Sequence, residues 1–147
     1  MTRIGVLNGP KLDRLGRREP EHYGRLTLPR IQEMLERRAT DVDARIEFFQ
    51  SDDEGSLVAW IELQGPELDG LLVNAGRFTH ESLPLAEALA ASRLPFVEVH
   101  LSNVFARERF RRNSLLAEHA IGVIVGFKAA SYMLGLDALL GHLATVE

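Results

Sequence analysis

Short unbroken apolar runs alternate along this chain with stretches whose apolar residues recur every three or four positions. Residues 3–8, Arg-Ile-Gly-Val-Leu-Asn, stop at Gly9-Pro10, the pattern of a buried strand closed by turn residues. Leu28, Ile31, Met34, Leu35 and Ala39 then share one helical face, with Thr27 placed as N-cap and Pro29 in the first turn. A second strand is predicted over 45–51, where Ile46, Phe48 and Phe49 lead into the acidic turn Asp52-Asp53-Glu54-Gly55. Leu57, Val58, Trp60, Ile61 and Leu63 predict a second helix that ends near Gly65-Pro66. Residues 70–74 read as the third strand, 83–92 as a helix rich in Leu and Ala, 95–100 as the fourth strand and 121–125 as the fifth. Met133, Leu136, Leu139, Leu140 and Leu143 mark a closing helix.

Strands that read as apolar runs, with no alternation of apolar and polar positions, must be covered on both faces. Five of them interleaved with helices predict an α/β fold: a flavodoxin-like five-stranded parallel sheet in the order 2-1-3-4-5, with helices on both faces. Residues 1–147 show no repeat, linker or low-complexity tract and read as a single domain. One stretch resists this scheme. Residues 7–24 run long before the first helix and mix Gly and Pro with Arg, Lys and Tyr. A loop of that length is either a functional lid or a solvated basic connection, and the pattern leaves both open.

Composition narrows the function. At 147 residues and 46% hydrophobic, the chain is long enough to bury a core. It has no Cys, which excludes disulfide and thiolate chemistry and agrees with a cytoplasmic location. A net charge of −4 argues against general nucleic-acid binding. Met1-Thr2-Arg3 leads straight into a strand without a signal-peptide pattern, and no apolar run is long enough to span a bilayer. Metal and cofactor are not expected either. No two histidines have ligand spacing, and Gly9-Pro10-Lys11 lacks the glycine spacing of a phosphate or dinucleotide loop.

In open α/β sheets ligands bind beyond the carboxyl ends of the strands, near the point where strand order reverses. Strands one, three and four end in Asn8, Asn74 and His100, and their loops add Lys11, Arg18, Tyr23, His80, Ser102, Arg107 and Arg111. That set suits a small anionic, hydroxylated ligand. Glu98 stands two residues before His100, so both side chains leave the same face of a strand, and the carboxylate can orient the imidazole as a general acid. A structural salt link is the alternative. Tyr23 shares its loop with Arg18; a phenol is a poor base at neutral pH unless cations stabilise its anion. The run Arg107-Glu108-Arg109-Phe110-Arg111-Arg112 suits carboxylate binding and subunit contacts better than nucleic acid, given the overall acidity.

Several motifs in one order carry a resemblance to a known family. Asn8-Gly9-Pro10, Leu15-Gly16-Arg17-Arg18-Glu19-Pro20, Tyr23-Gly24, Gln50-Ser51, Asn74-Ala75-Gly76, Thr79-His80, Glu98 to Asn103, Arg107-Glu108 and Phe110-Arg111 resemble type II 3-dehydroquinate dehydratase. The resemblance implies loss of water from 3-dehydroquinate to give 3-dehydroshikimate, with no metal, Schiff base or cofactor. It implies Tyr23 as base, Arg18 as the cation beside it, His100 as acid and Glu98 as its orienting partner. It implies that Asn74, His80 and Arg111 hold ring hydroxyls, with Gly76 in the same substrate-binding set, and that the N–H groups of Leu101 and Ser102 take the carboxylate. A dodecamer of four trimers is implied too, with Glu87 reaching a neighbouring subunit's site. The setting is the shikimate pathway of aromatic amino acid biosynthesis, or quinate catabolism.

The chain also departs from the family pattern. Lys11 stands where family members carry an Asn that holds water at the enolate oxygen, so Lys11 is expected to offer its charge there directly. Glu87 replaces Asp, Glu81 replaces Thr or Ser, Phe105 replaces His, Asn113 and Leu115 replace His and Tyr, and Phe127-Lys128 replaces Leu-Gly. The changes at residues 11, 81 and 87 motivate a second reading. In it the chain is a diverged paralogue that binds a related cyclic polyhydroxy acid, or a non-catalytic assembly or regulatory subunit.

Overall fold

The computed structural model describes residues 1–17 and 19–145. Five strands, β1 (Thr2–Asn8), β2 (Ala44–Gln50), β3 (Gly70–Asn74), β4 (Phe96–His100) and β5 (Gly122–Val125), form one sheet in the order β2-β1-β3-β4-β5. Every neighbouring pair runs parallel. The expected order 2-1-3-4-5 is therefore the observed one. The helices are α1 (Pro20–Tyr23), α2 (Leu28–Thr40), α3 (Glu54–Gln64), α4 (Phe78–Glu81), α5 (Leu83–Ser92) and α6 (Ala130–Thr145).

Alternation along each strand divides the core in two. Ile4 and Val6 of β1, Leu72 of β3, and Val97 and Val99 of β4 pack with Ile31 and Leu35 of α2 and Leu136 and Leu139 of α6. Leu7, Leu71, Val73 and Phe96 point the other way, onto Leu57 and Ile61 of α3 and Leu85 and Leu89 of α5. Edge position explains why β2 and β5 are less buried than their apolar sequences suggest, with Val123 44% exposed. The helix starts follow from capping: Thr27 accepts from the Arg30 N–H, Asp53 from the Ser56 N–H and Ser82 from the Leu85 N–H.

Two loop features position the cleft. The loop after β1 is anchored while its charges stay in solvent: Leu12, which opens the 3-10 turn Leu12–Arg14, and Leu15, which follows it, are buried in the α2/α6 core, Lys11, Asp13, Arg14 and Arg17 are exposed, and the chain then forms α1. Leu12 and Leu15, three residues apart, tie the loop to the core near its start. Gly9 lies against the loop after β3, and a Cβ there would meet the Ala75 carbonyl oxygen at 2.2 Å. Its N–H donates to the Asn74 carbonyl at 2.8 Å, so the two strand ends are stitched together where a bulkier residue would separate them. No described helix is long and apolar enough to cross a membrane.

Candidate active site

β4 delivers the first arm of the site. Glu98 and His100 share a face of the strand, and Glu98 Oε2 lies 2.6 Å from His100 Nε2, with Glu98 1% and His100 8% exposed. Nδ1 is then the ring nitrogen left for the cleft. The other carboxylate oxygen, Oε1, accepts from the Ser114 hydroxyl at 2.7 Å.

α1 delivers the second arm. Tyr23 is half-buried at the end of this short helix, and Arg107 Nη1 donates to its oxygen at 2.7 Å. The Arg107 guanidinium also lies 5.3 Å from the Tyr23 ring centroid, 3.8 Å from Glu19 and 3.4 Å from the Ser102 hydroxyl. Its side chain is 6% exposed, and its buried Nε has no hydrogen-bond partner among the described residues. Arg18, expected as the cation beside Tyr23, lies outside the described residues; Arg107 occupies such a place.

Between these arms the ends of β1 and β3 are held by polar contacts. Lys11 adopts a left-handed conformation, φ 64°, and its N–H donates to Asp52 Oδ1 at 2.9 Å. That bond, helped by Gln50, holds the Asp52 carboxyl below its usual range. Beneath the cleft, Tyr132 of α6 donates to Asn8 Oδ1 at 2.5 Å and accepts from Asn74 Nδ2 at 3.1 Å, all three residues being buried. The Gly76 N–H donates to Asn74 Oδ1 at 3.3 Å, which fixes which end of the Asn74 amide is oxygen. Burial pushes the Tyr132 phenol well up, so it stays neutral and free to bridge the two amides.

The cleft that results has a volume of about 190 Å³. Lys11, Tyr23, Asn74, Gly76, His80, His100, Leu101, Ser102 and Arg111 all line it, so nine of the expected site residues come together. His80 is steadied by the Asn113 carbonyl, 2.7 Å from its Nδ1, and by edge contact with Phe110. Arg111 bonds Glu108, holding that carboxyl below its usual range. Glu98 sits behind His100 and borders a second cavity of about 200 Å³. Glu87 is exposed on α5 and Glu81 turns to Arg77, 3.5 Å away; neither lines the cleft of its own chain.

Three contacts in and around the cleft have weak sequence signals. Arg107 stands in a run of arginines that does not say which one meets Tyr23. Tyr132 lies in an apolar helix and reads as core. Ser114 accepts from the Leu116 and Ala117 N–H groups just ahead of the 3-10 turn Ala117–His119, but its bond to Glu98 reaches back to β4 and has no local pattern to signal it. Among the described residues no group of three or more His, Asp or Glu is placed to hold a metal ion. The arrangement offers a phenol beside a cation and an imidazole beside a carboxylate, facing one polar cleft.

Known proteins share this arrangement of chain. The family model for dehydroquinase class II matches residues 2–140. The 3-dehydroquinate dehydratase of Synechococcus sp. (strain WH7803) is 48% identical over 145 residues, covering 99% of this chain and 99% of that protein. The type II dehydroquinase structure from Propionibacterium acnes superposes with a TM-score of 0.91 at 35% identity, covering 96% of this chain and 97% of the other. The type II dehydroquinase from Butyrivibrio crossotus DSM 2876 gives 0.91 at 33% identity, covering 95% and 97%.

Proposed function

The chain belongs to the dehydroquinase class II family and is a hydro-lyase of the 3-dehydroquinate dehydratase type, and we propose that it works through an enolate with Tyr23 as base and His100 as acid. The observation that carries this reading is that Tyr23 and His100 line one cleft, each with a charged partner in hydrogen-bond contact, Arg107 on Tyr23 and Glu98 on His100. Tyr23, as its anion, removes a proton from the carbon beside the substrate ketone. The Arg107 guanidinium steadies that anion, with Arg18 assigned the same task. The C–H electron pair moves into the enolate, whose oxygen is met by the Lys11 ammonium. Collapse of the enolate restores the ketone, forms the ring double bond and expels the hydroxyl, which leaves as water with the proton from His100.

Binding follows from the same walls. Asn74, His80 and Arg111 take ring hydroxyls, and the N–H groups of Leu101 and Ser102 take the carboxylate. Gly76 acts through Asn74, whose amide it orients. We assign the whole chain to one catalytic domain in the cytoplasm, assembled as a dodecamer of four trimers. Glu87, exposed and outside its own cleft, is assigned to a neighbour's site. The pathway is shikimate biosynthesis or quinate catabolism.

Purified protein given 3-dehydroquinate is expected to develop the enone absorbance of 3-dehydroshikimate. Turnover no greater than that of Tyr23→Phe overturns the reading. The same assay on Lys11→Asn tests the charge at the enolate: a loss of kcat supports the role given to Lys11, and a gain shows that Lys11 hinders the reaction.

A further inference from the structure

Behind the imidazole, away from the cleft, the loop between β4 and β5 supplies a group whose hydrogen bonding is fully determined. Ser114 Oγ lies 2.7 Å from Glu98 Oε1, 3.1 Å from the Leu116 N–H and 3.0 Å from the Ala117 N–H. The two backbone groups can only donate, so they occupy the hydroxyl's lone pairs. Its single proton has one direction left, towards Glu98. Oε1 must therefore accept, and a proton on this carboxyl group has only Oε2 to occupy, where it faces His100 Nε2 at 2.6 Å.

We propose that Ser114 is a positioning residue for the acid: by donating to Glu98 Oε1 it keeps the proton shared by Glu98 and His100 on the imidazole. The inference rests on the role given to His100 in the proposed dehydration. A buried carboxylate and imidazole stand close to balance between an ion pair and a neutral pair, because desolvation disfavours both charges at once. A donor on the carboxylate favours its charged form and tips that balance. The surroundings make the contribution matter. Lys11, Arg77, Arg107 and Arg111 line the cleft with His80 and Tyr23, and Arg111 and Arg112 border the second cavity. Those cations oppose a positive imidazole, and Glu98 is the anion in contact with it. With the carboxylate held ionised, Nε2–H donates to Oε2 and Nδ1–H is presented to the cleft, the form an acid needs before it meets the departing hydroxyl. Without the Ser114 donor the proton moves to Glu98, and His100 faces the substrate as a neutral ring.

The proton's position can be read directly, by ¹⁵N NMR of the histidine rings and by infrared absorption of the Glu98 carboxyl, both without substrate at neutral pH. Wild-type protein is expected to show a doubly protonated His100 and an ionised Glu98. Ser114→Ala is expected to show a singly protonated ring and a neutral carboxyl, with kcat down about tenfold and KM nearly unchanged. Ser114→Thr, which keeps the hydroxyl, is expected to restore both. A wild-type pair with the proton on Glu98 overturns the proposal without any variant, which covers failure of Ser114→Ala to fold. So does a Ser114→Ala protein that melts earlier but keeps the ion pair and kcat, since that is a capping role alone. Because the spectroscopy needs no turnover, a chain without dehydratase activity refutes the proposed reaction and leaves the test of Ser114 standing.

Discussion

His100 stands on a buried strand two residues from the carboxylate that holds it, whereas Tyr23 stands on a four-residue helix in a loop and meets Arg107 from 84 residues further along the chain. The proposed acid is placed by strand geometry, which puts residues two apart on one face whatever the rest of the fold does. The proposed base is placed by where two loops meet. Local geometry tolerates change elsewhere in the molecule, but a contact between loops depends on everything that holds them. Here the holding is visible: Leu12 and Leu15 fasten one loop to the core, and the Ser102 and Glu19 contacts fasten Arg107 in the other.

The largest test of this contrast removes the groups themselves. Tyr23→Phe and His100→Gln are each expected to lower kcat on the order of a thousandfold, measured by enone formation under saturation. Comparable losses would show two groups acting in one turnover, and a loss confined to one of them would break the pairing of base and acid. Next in size is Arg107→Met. It removes the cation from the Tyr23 oxygen and is expected to cost roughly a hundredfold in kcat. The infrared signature of the Glu98–His100 pair should stay that of an ion pair, because Arg107 bonds Tyr23 and loss of a cation that opposes the charged imidazole favours that form. A changed signature would mean that the two arms are one electrostatic unit.

The smallest expected effect concerns the floor of the cleft. Tyr132→Phe leaves Asn8 Oδ1 and Asn74 Nδ2 without their shared partner, and denaturant unfolding should show a loss of about 1–3 kcal/mol. Its pH dependence has a definite sign. The buried phenol is pushed up in the folded state, while an unfolded tyrosine titrates near ~10. The stability it contributes is therefore complete below that pH and is lost as pH rises above it. Tyr132→Phe should unfold less steeply in alkali than the wild type.

The contrast also explains what could be read before the fold was known. The five strands, both helical layers and the Glu98–His100 pair depend on short-range periodicity, the strand order on the flavodoxin-like arrangement that this alternation suits, and the structure has all of them. Gly9, Asn74 and Gly76 were legible as turn and strand-end residues, and all lie where strand order reverses. The loop after β1 was half legible. Its length pointed to function, but Leu12 and Leu15 reveal their anchoring only once α2 and α6 are present to bury them. Glu81 illustrates the opposite error: beside His80 in sequence it suggests a charge in the site, yet one helical turn brings it to Arg77 and away from the cleft.

The amino-acid sequence by itself determined the strands of a parallel sheet and the set of chemical groups at the strand ends, because these follow from patterns spanning a few residues, while the strand order comes from the flavodoxin-like arrangement that such alternation suits. Tertiary structure alone decided which arginine meets Tyr23, that Tyr132 bridges Asn8 and Asn74, and that the Ser114 hydroxyl turns to Glu98. Each of these contacts joins separate elements, at separations of 84, 124, 58 and 16 residues. Their geometry is set by how helices and loops close over the sheet, and no local periodicity encodes it.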